Sequence, residues 1–414
     1  MAITLLTEEQ FDNFAINSPY NSFYQTSNYG NLMVKYGHNV YYLGLIKNNS
    51  IVAATLIIVK TNSNDKRKMG YAPRGFLIDW KDFELVKEFT NEISSYLSKR
   101  GFTSLKIDPY VVYKKHDCDN NSSEDINNTF VEKLQSLGYI HMGYNNGTES
   151  IQPRWGSYAT CNNNVIELYN SISSNGRKKI NDAVSYGNKI YKGSINDIQK
   201  LYGLLPSNKG SLDDYLDFYQ FFNKNNEVEI FFVKLEPYMN ISKSKKLYED
   251  EEANNLKLNS LIQDLYVQNK EQLINEKIKS DNKVALYKKR MLQASELFQK
   301  YPNGLIIAGT MILKFNNTIY FITSGTNVEF KKENPEYMLK WQLMDTYSKQ
   351  GFNKFIFLNV DNEFMNKNEY TVNKELATDI VEYVGEFDLV INKKSYYTGN
   401  RLSPILNWLN TPIK

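Results

Sequence analysis

The sequence predicts an α+β chain built from two copies of one mixed unit, with a long helical arm inserted in the second copy. Three observations carry this reading. A β-hairpin, an amphipathic helix and a strand follow one another twice; the two helices end in SKRGF at 98–102 and SKQGF at 348–352; and residues 238–301 contain neither Gly nor Pro across 64 positions.

In chain order, YYLGLIKNNSIVAATLIIVK at 41–60 is two β-rich runs joined by Asn48-Asn49-Ser50. Asparagine tolerates the positive φ of tight turns, so the segment reads as a hairpin. In the following helix Leu85, Phe89, Ile93 and Leu97 recur every four positions before Gly101, and SLKIDPYVV reads as a strand. The pattern returns in LIIAGTMILKFNNTIYFITSG at 305–325, with Asn316-Asn317 at the turn. A helix carrying Leu339, Leu343 and Tyr347 and the strand KFIFLNV follow. Between the copies, Val284, Tyr287, Met291, Ala294 and Phe298 alternate three and four apart, as a coiled-coil seam does, and Leu258, Leu261 and Leu265 continue the spacing. Polar KIKSDNK at 277–283 is a candidate turn for an antiparallel hairpin with arms of about 25 residues, projecting roughly 40 Å. The arm's 12 basic and 9 acidic residues suit a solvated spacer or an arm that touches a large partner.

Composition narrows the function. At roughly 100–200 residues per domain, 414 residues imply two to four domains. A net charge of +3 excludes a global field for nucleic acid, so any such site is a local patch. The run Ile51–Val59 is too short to span a bilayer, and MAITLLTEEQ lacks the features of a signal peptide; a soluble, cytoplasmic chain is expected. Cys118 and Cys161 have no metal-type spacing, and three scattered histidines leave little material for a zinc site or a Ser-His-Asp triad. No cofactor is expected.

Several stretches resemble the Fem family of peptidoglycan-bridge aminoacyltransferases: residues 22–58, GYAPRGFLIDW at 70–80, LKIDP at 105–109, NGRKKINDAVSYGNKIY at 175–191, residues 323–352, and VEYVGEFDLVINKKSYY at 381–397. Phe76 stands where the family has a proline. The resemblance implies tandem domains of the GCN5-related acetyltransferase type. They would span 1–150 and 151–380, with the arm at about 238–301 and residues 381–414 returning to the first domain. It also implies two partners, aminoacyl-tRNA as donor and a lipid-linked or UDP-linked peptidoglycan precursor as acceptor, met at the inner face of the membrane.

On that reading an amine attacks an ester that already has a good leaving group, and no protein nucleophile is required. Asp108, at a strand end, is the candidate base, although Asp-Pro is also a turn former. Arg74, next to Tyr71 and Pro73 in a loop, suits bidentate contact to a phosphate or carboxylate, or a surface salt bridge. Lys35 lies where the family places a phosphate-contacting lysine, and otherwise reads as a solvated lysine. Tyr71 and Tyr320 are substrate-side candidates, Tyr320 as a cavity wall or as core. Arg177, Lys178 and Lys179 open a helix and are the candidate tRNA-phosphate contacts, against a solvated helix start. An acetyl-CoA enzyme of the same fold and a silent RNA-binding scaffold are the rival classes. The Gly-rich pyrophosphate turn of the CoA enzymes is absent from the sequence.

Overall fold

The computed structural model describes residues 2–61, 67–116, 123–144, 151–162, 164–206, 210–264, 268–360 and 371–398. Cys118, Leu265 and residues 399–414 lie outside them. Two twisted sheets form the body. The first has the strand order β1 (Ala2–Leu5), β2 (Asn39–Lys47), β3 (Ser50–Thr61), β4 (Lys68–Ala72), β5 (Phe102–Ile107), β16 (Phe387–Val390), β8 (Tyr139–His141). The second runs β10 (Lys189–Lys192), β11 (Val228–Leu235), β12 (Leu305–Phe315), β13 (Thr318–Thr326), β14 (Lys354–Val360), β9 (Trp155–Thr160), β15 (Asp379–Tyr383), β6 (Val112–His116), β7 (Ser123–Asp125). The helices of the first half are α1 (Glu8–Asn17), α2 (Ser27–Lys35), α3 (Phe83–Ser98) and α4 (Phe130–Ser136). Those of the second are α5 (Val165–Ser171), α6 (Ser174–Ser185), α7 (Ile198–Tyr202), α8 (Leu212–Phe222), α9 (Pro237–Gln263), α10 (Lys270–Lys300), α11 (Pro335–Ser348), α12 (Thr371–Leu376) and α13 (Lys393–Thr398).

Both asparagine turns form as expected: Asn48, Asn49 and Asn316 have φ of 49°, 62° and 51°. The internal repeat is real but shifted by one strand from the match read in the sequence. In the first sheet β4 and β5 are parallel and joined by α3, and β4 pairs antiparallel with β3. In the second, β13 and β14 are parallel and joined by α11, and β13 pairs antiparallel with β12. The counterpart of the hairpin β12–β13 is therefore β3–β4, while β2–β3 corresponds to β11–β12. The five-residue β4, KMGYA, is too short to show an alternation in sequence. The arm occupies the place that Asn48-Asn49 holds in the first sheet, between β11 and β12.

The arm is a helical hairpin, but its turn is not at 277–283, which lies inside α10. The helices break between Gln263 and Lys270, where Asn269 is left-handed at φ 62°. Polar residues serve a solvated helix face as well as a turn, and Lys277 pairs with Asp281 one turn on. The seam also differs: Ala294 is buried and Val284, Tyr287 and Met291 half-buried, but Leu297 takes the place expected for Phe298, and Leu261 faces outward. Part of the seam is polar, with the Ser280 hydroxyl donating to Glu251 at 2.7 Å and the Asn255 amide to Asp281 at 2.9 Å.

Three cores hold the body. One packs α3, through Val86, Phe89, Ile93 and Leu97, on the first sheet; each such side chain contributes ~1.5–3 kcal/mol when fully buried. A second packs α6 and α11 on the second sheet. The third joins the two halves, with Phe23 edge-on to Phe218, Phe222 and Tyr320 at centroid separations of 5.1–6.2 Å.

Candidate active site

The chain passes between the sheets at two neighbouring places. After β5 it leaves the first sheet through Asp108-Pro109 and enters β6 of the second; after β15 it leaves the second through residues 384–386 and enters β16 of the first. The crossings are bonded to each other, Val384 N–H donating to the Val111 carbonyl at 3.0 Å. Gly385, at φ +89°, supplies the left-handed bend of the return crossing. Side chains here face both halves of the molecule.

Three of the residues singled out in the sequence meet at this junction. Asp108 is 3% exposed; its Oδ1 accepts the backbone N–H of Arg74 at 2.7 Å, its Oδ2 lies 3.7 Å from the Arg74 guanidinium, and the fully buried Tyr71 lies close enough to act on its carboxylate. Burial pushes the Asp108 carboxyl up to about 7, against the opposing pull of Arg74 and with Glu386 adding to the rise. Arg74 adopts φ 52° in the turn after β4. Its guanidinium points inward, donating to the Pro153 carbonyl at 2.8 Å and lying 4.8 Å from the centroid of Tyr383. The loop arginine is thus neither a surface salt bridge nor free for bidentate capture of a phosphate; it holds Asp108. Phe76, two residues on, is fully buried against Phe89 and Trp80.

Tyr320 is buried on β13 with its ring against Phe23, so it belongs to the core joining the halves. It also lines two cavities there. Lys35 stands apart from this cluster: it ends α2 and pairs with Asp217 of α8 at 2.6 Å, with 47% of its side chain exposed.

A roomy cavity lies in the second sheet. β13 and β14 pair only from Thr318↔Lys354 to Phe321↔Phe357. β13 then continues to Thr326 without β14 beside it, and a cavity of about 590 Å³ opens in the splay. Phe321, whose ring stacks on that of Phe357 at 5.3 Å, lines it, and the first turn of α11 borders it. In the first sheet, by contrast, β4 and β5 stay paired to their ends at Ala72↔Ile107. Three lysines line the splay, Lys331 from an exposed position. Lys179 bonds Glu375 at 2.9 Å and the Tyr337 hydroxyl at 3.0 Å, and Lys340, 2% exposed, pairs with Glu336 at 2.7 Å. Of the basic cluster, then, Lys179 reaches a cavity, Lys178 is exposed, and Arg177 is spent on the carbonyls of Asn170 and Ile172 at the end of α5. The base of the arm meets the cavity rim: Lys300 and Tyr301 bond Glu329, each at 3.2 Å, one residue beyond Val328 of the lining.

The residues that sequence reasoning missed come from one stretch. VEYVGEFDLV at 381–390 delivers Glu382, Tyr383, Glu386 and Asp388 to the junction. Lys106, 4% exposed, is held by Asp388 at 2.8 Å and Glu386 at 3.2 Å, and Glu382 pairs with His116 at 2.7 Å and with Arg154. Acids at alternate positions of a β-rich run were the available signal. Among the described residues no cluster of His, Cys, Asp and Glu is placed to hold a metal ion, and no helix is long and apolar enough to cross a membrane.

A sequence model described as the FemAB family matches residues 6–403. Aminoacyltransferase FemA of Staphylococcus aureus (strain bovine RF122 / ET3-1) is 24% identical over 415 residues, covering 96% of this chain and 97% of that protein. The protein of the same name from strain MRSA252 matches with the same identity and coverage. A solved structure titled "Crystal structure of FemX" superimposes with a TM-score of 0.72 at 19% identity, covering 96% of this chain and 99% of that one. The two share a fold, and with the family model matched over nearly its whole length this chain belongs to the FemAB family.

Proposed function

We propose that the protein transfers an aminoacyl group from aminoacyl-tRNA to an amine on the stem peptide of a peptidoglycan precursor. The observation that carries the reading is the pairing of a splayed-strand cavity with a buried carboxyl poised near neutrality at the junction of the two sheets. The name aminoacyltransferase, borne by relatives that match nearly end to end, supports the transfer chemistry. The parallel pair crossed by a helix in each sheet is the basis for reading the fold as tandem acetyltransferase-type units.

In this reading the 3′ end of the tRNA enters the splay, where Lys179 and the start of α11 meet its phosphates and the arm supports the rim. The acceptor amine loses a proton to Asp108 and attacks the ester carbonyl. A C–N bond forms, the C–O bond to the ribose breaks, and the ribose oxygen takes up a proton. Arg74 keeps Asp108 in place, and burial leaves it ionisable near pH 7, which suits a general base. Lys35 contributes to an acceptor phosphate only by exchanging Asp217 for it. The reaction takes place in the cytoplasm, with contact to the inner membrane face through a lipid-linked acceptor.

The acyl-CoA alternative loses support in the segment between β13 and α11, where a pyrophosphate-binding turn would sit. Residues 327–334 contain no glycine, and Gly325, inside β13, is packed so closely that a side chain added there would come within 2.4 Å of the Leu204 carbonyl. Purified protein should pass label from a pool of charged tRNA, and not from acetyl-CoA, to an amine-bearing muropeptide. Label from acetyl-CoA with none from charged tRNA would overturn the reading.

A further inference from the structure

A second cavity, of about 410 Å³, lies on the β6 side of Tyr320. Its walls are mainly aromatic, with Tyr20, Tyr110, Tyr158, Tyr320 and Tyr383, and its one lysine is Lys354 at the start of β14. The ammonium of Lys354 lies 4.3 Å from the centroid of the Tyr158 ring and 6.0 Å from that of Tyr110. No carboxylate among the described residues forms an ion pair with it. The acid that acts on Tyr158, Asp379, is engaged by Lys115 and by the Thr378 hydroxyl. The cavity therefore holds a half-buried cation, steadied by two rings, whose three donors have no anion.

The cavity also shares wall residues with the junction. Tyr110 and Tyr383 stack 4.9 Å apart, and both line a narrow cavity beside Arg74. Tyr383 continues into the small cavity that Asp108 lines. One row of tyrosine rings thus runs from the Lys354 ammonium to the Asp108 carboxyl. A single lysine without an arginine or a helix N-terminus suits a monoanion better than a phosphate dianion. Flat aromatic walls with hydroxyl edges suit peptide planes and small side chains.

We propose that the tyrosine-walled cavity at Lys354 is a subsite for the carboxylate end of an acceptor peptide whose amine reaches Asp108. The proposal rests on the aminoacyl-transfer reading for the identity of the amine, and on the cavity alone for the carboxylate. The probe is Nα-acetyl-lysyl-D-alanyl-D-alanine, which carries one amine and one carboxylate, compared with its C-terminal amide. Each is titrated against the full chain by ligand-observed NMR.

The free acid should bind about tenfold to a hundredfold more tightly than the amide, the usual worth of a charge-assisted bond. In Lys354→Gln the two should bind alike at the level of the amide, while Lys354→Arg should keep the preference and show that the position tolerates change. Equal binding of acid and amide to the unaltered protein, including no binding of either, overturns the subsite, as does a preference that survives in Lys354→Gln. Label transfer from charged tRNA, measured on the same preparation, separates the two ideas. Transfer without acid preference removes the subsite and leaves the function, and acid preference without transfer does the reverse.

Discussion

Replacing Asp108 by Asn tests the junction most sharply, because it keeps the size of the side chain and a carbonyl that can accept the Arg74 N–H while removing the charge. Burial raises this carboxyl from 3.8 to about 7. The folded chain therefore binds a proton that the unfolded chain has released between those pH values. The sign follows: the stability associated with the protonated carboxyl is fully present below about pH 4 and is lost as pH rises through 7. The difference corresponds to ~4 kcal/mol at most, since each pH unit is worth about 1.4 kcal/mol. Asn does not ionise, so the stability of Asp108→Asn relative to the unaltered protein should rise between pH 4 and pH 8, read from urea midpoints across that range. Turnover should behave in parallel. In the unaltered protein it should climb with pH to an inflection near 7. In Asp108→Asn it should be lower by roughly 10²-fold or more, without that inflection and with little change in the acceptor KM. An inflection near 7 that persists in Asp108→Asn, or a loss of less than about threefold, would refute the assignment of the base and leave proton transfer to the substrates themselves.

Other positions extend the test. Lys106→Met should cost about 3–5 kcal/mol in urea unfolding, because Glu386 and Asp388 are left buried and uncompensated, and the added change Asp388→Leu should recover part of it. Removing residues 251–283 and closing the hairpin with a short turn should leave a single cooperative thermal transition, since the arm's contacts with the body, such as Arg290 to Ser185 at 2.8 Å, lie at its base. It should weaken tRNA binding, and unchanged affinity would make the arm a spacer. Lys179→Ala should raise the KM for charged tRNA by about tenfold while leaving that of the acceptor, and the opposite pattern would move the donor out of the splay.

Local chemistry made the hairpins and helices readable: asparagines at the turns, four-residue spacing of Phe89, Ile93 and Leu97, and glycines after the helices. What sequence could not supply was pairing. The equivalence of the two halves turns on β4, five residues without a period, and on which strands run parallel. Polarity marks a solvated helix as well as a loop, so it does not locate the arm's turn, and the left-handed Asn269 leaves no trace in composition. Tyr71, Arg74 and Asp108 were each singled out, but their meeting depends on the parallel pairing of β4 with β5. The Lys35 pairing with Asp217 and the arrival of Tyr383 and Glu386 join residues more than 180 positions apart, beyond the reach of local pattern.

The central claim is the transfer of an aminoacyl residue to a precursor amine, and the most direct measurement is the intact mass of the acceptor after a single turnover with charged tRNA. The account predicts a muropeptide heavier by one aminoacyl residue, joined through a new amide at the amine and formed only when protein and charged tRNA are both present. An unchanged muropeptide beside deacylated tRNA, or a gain of one acetyl group when acetyl-CoA is supplied instead, would contradict it.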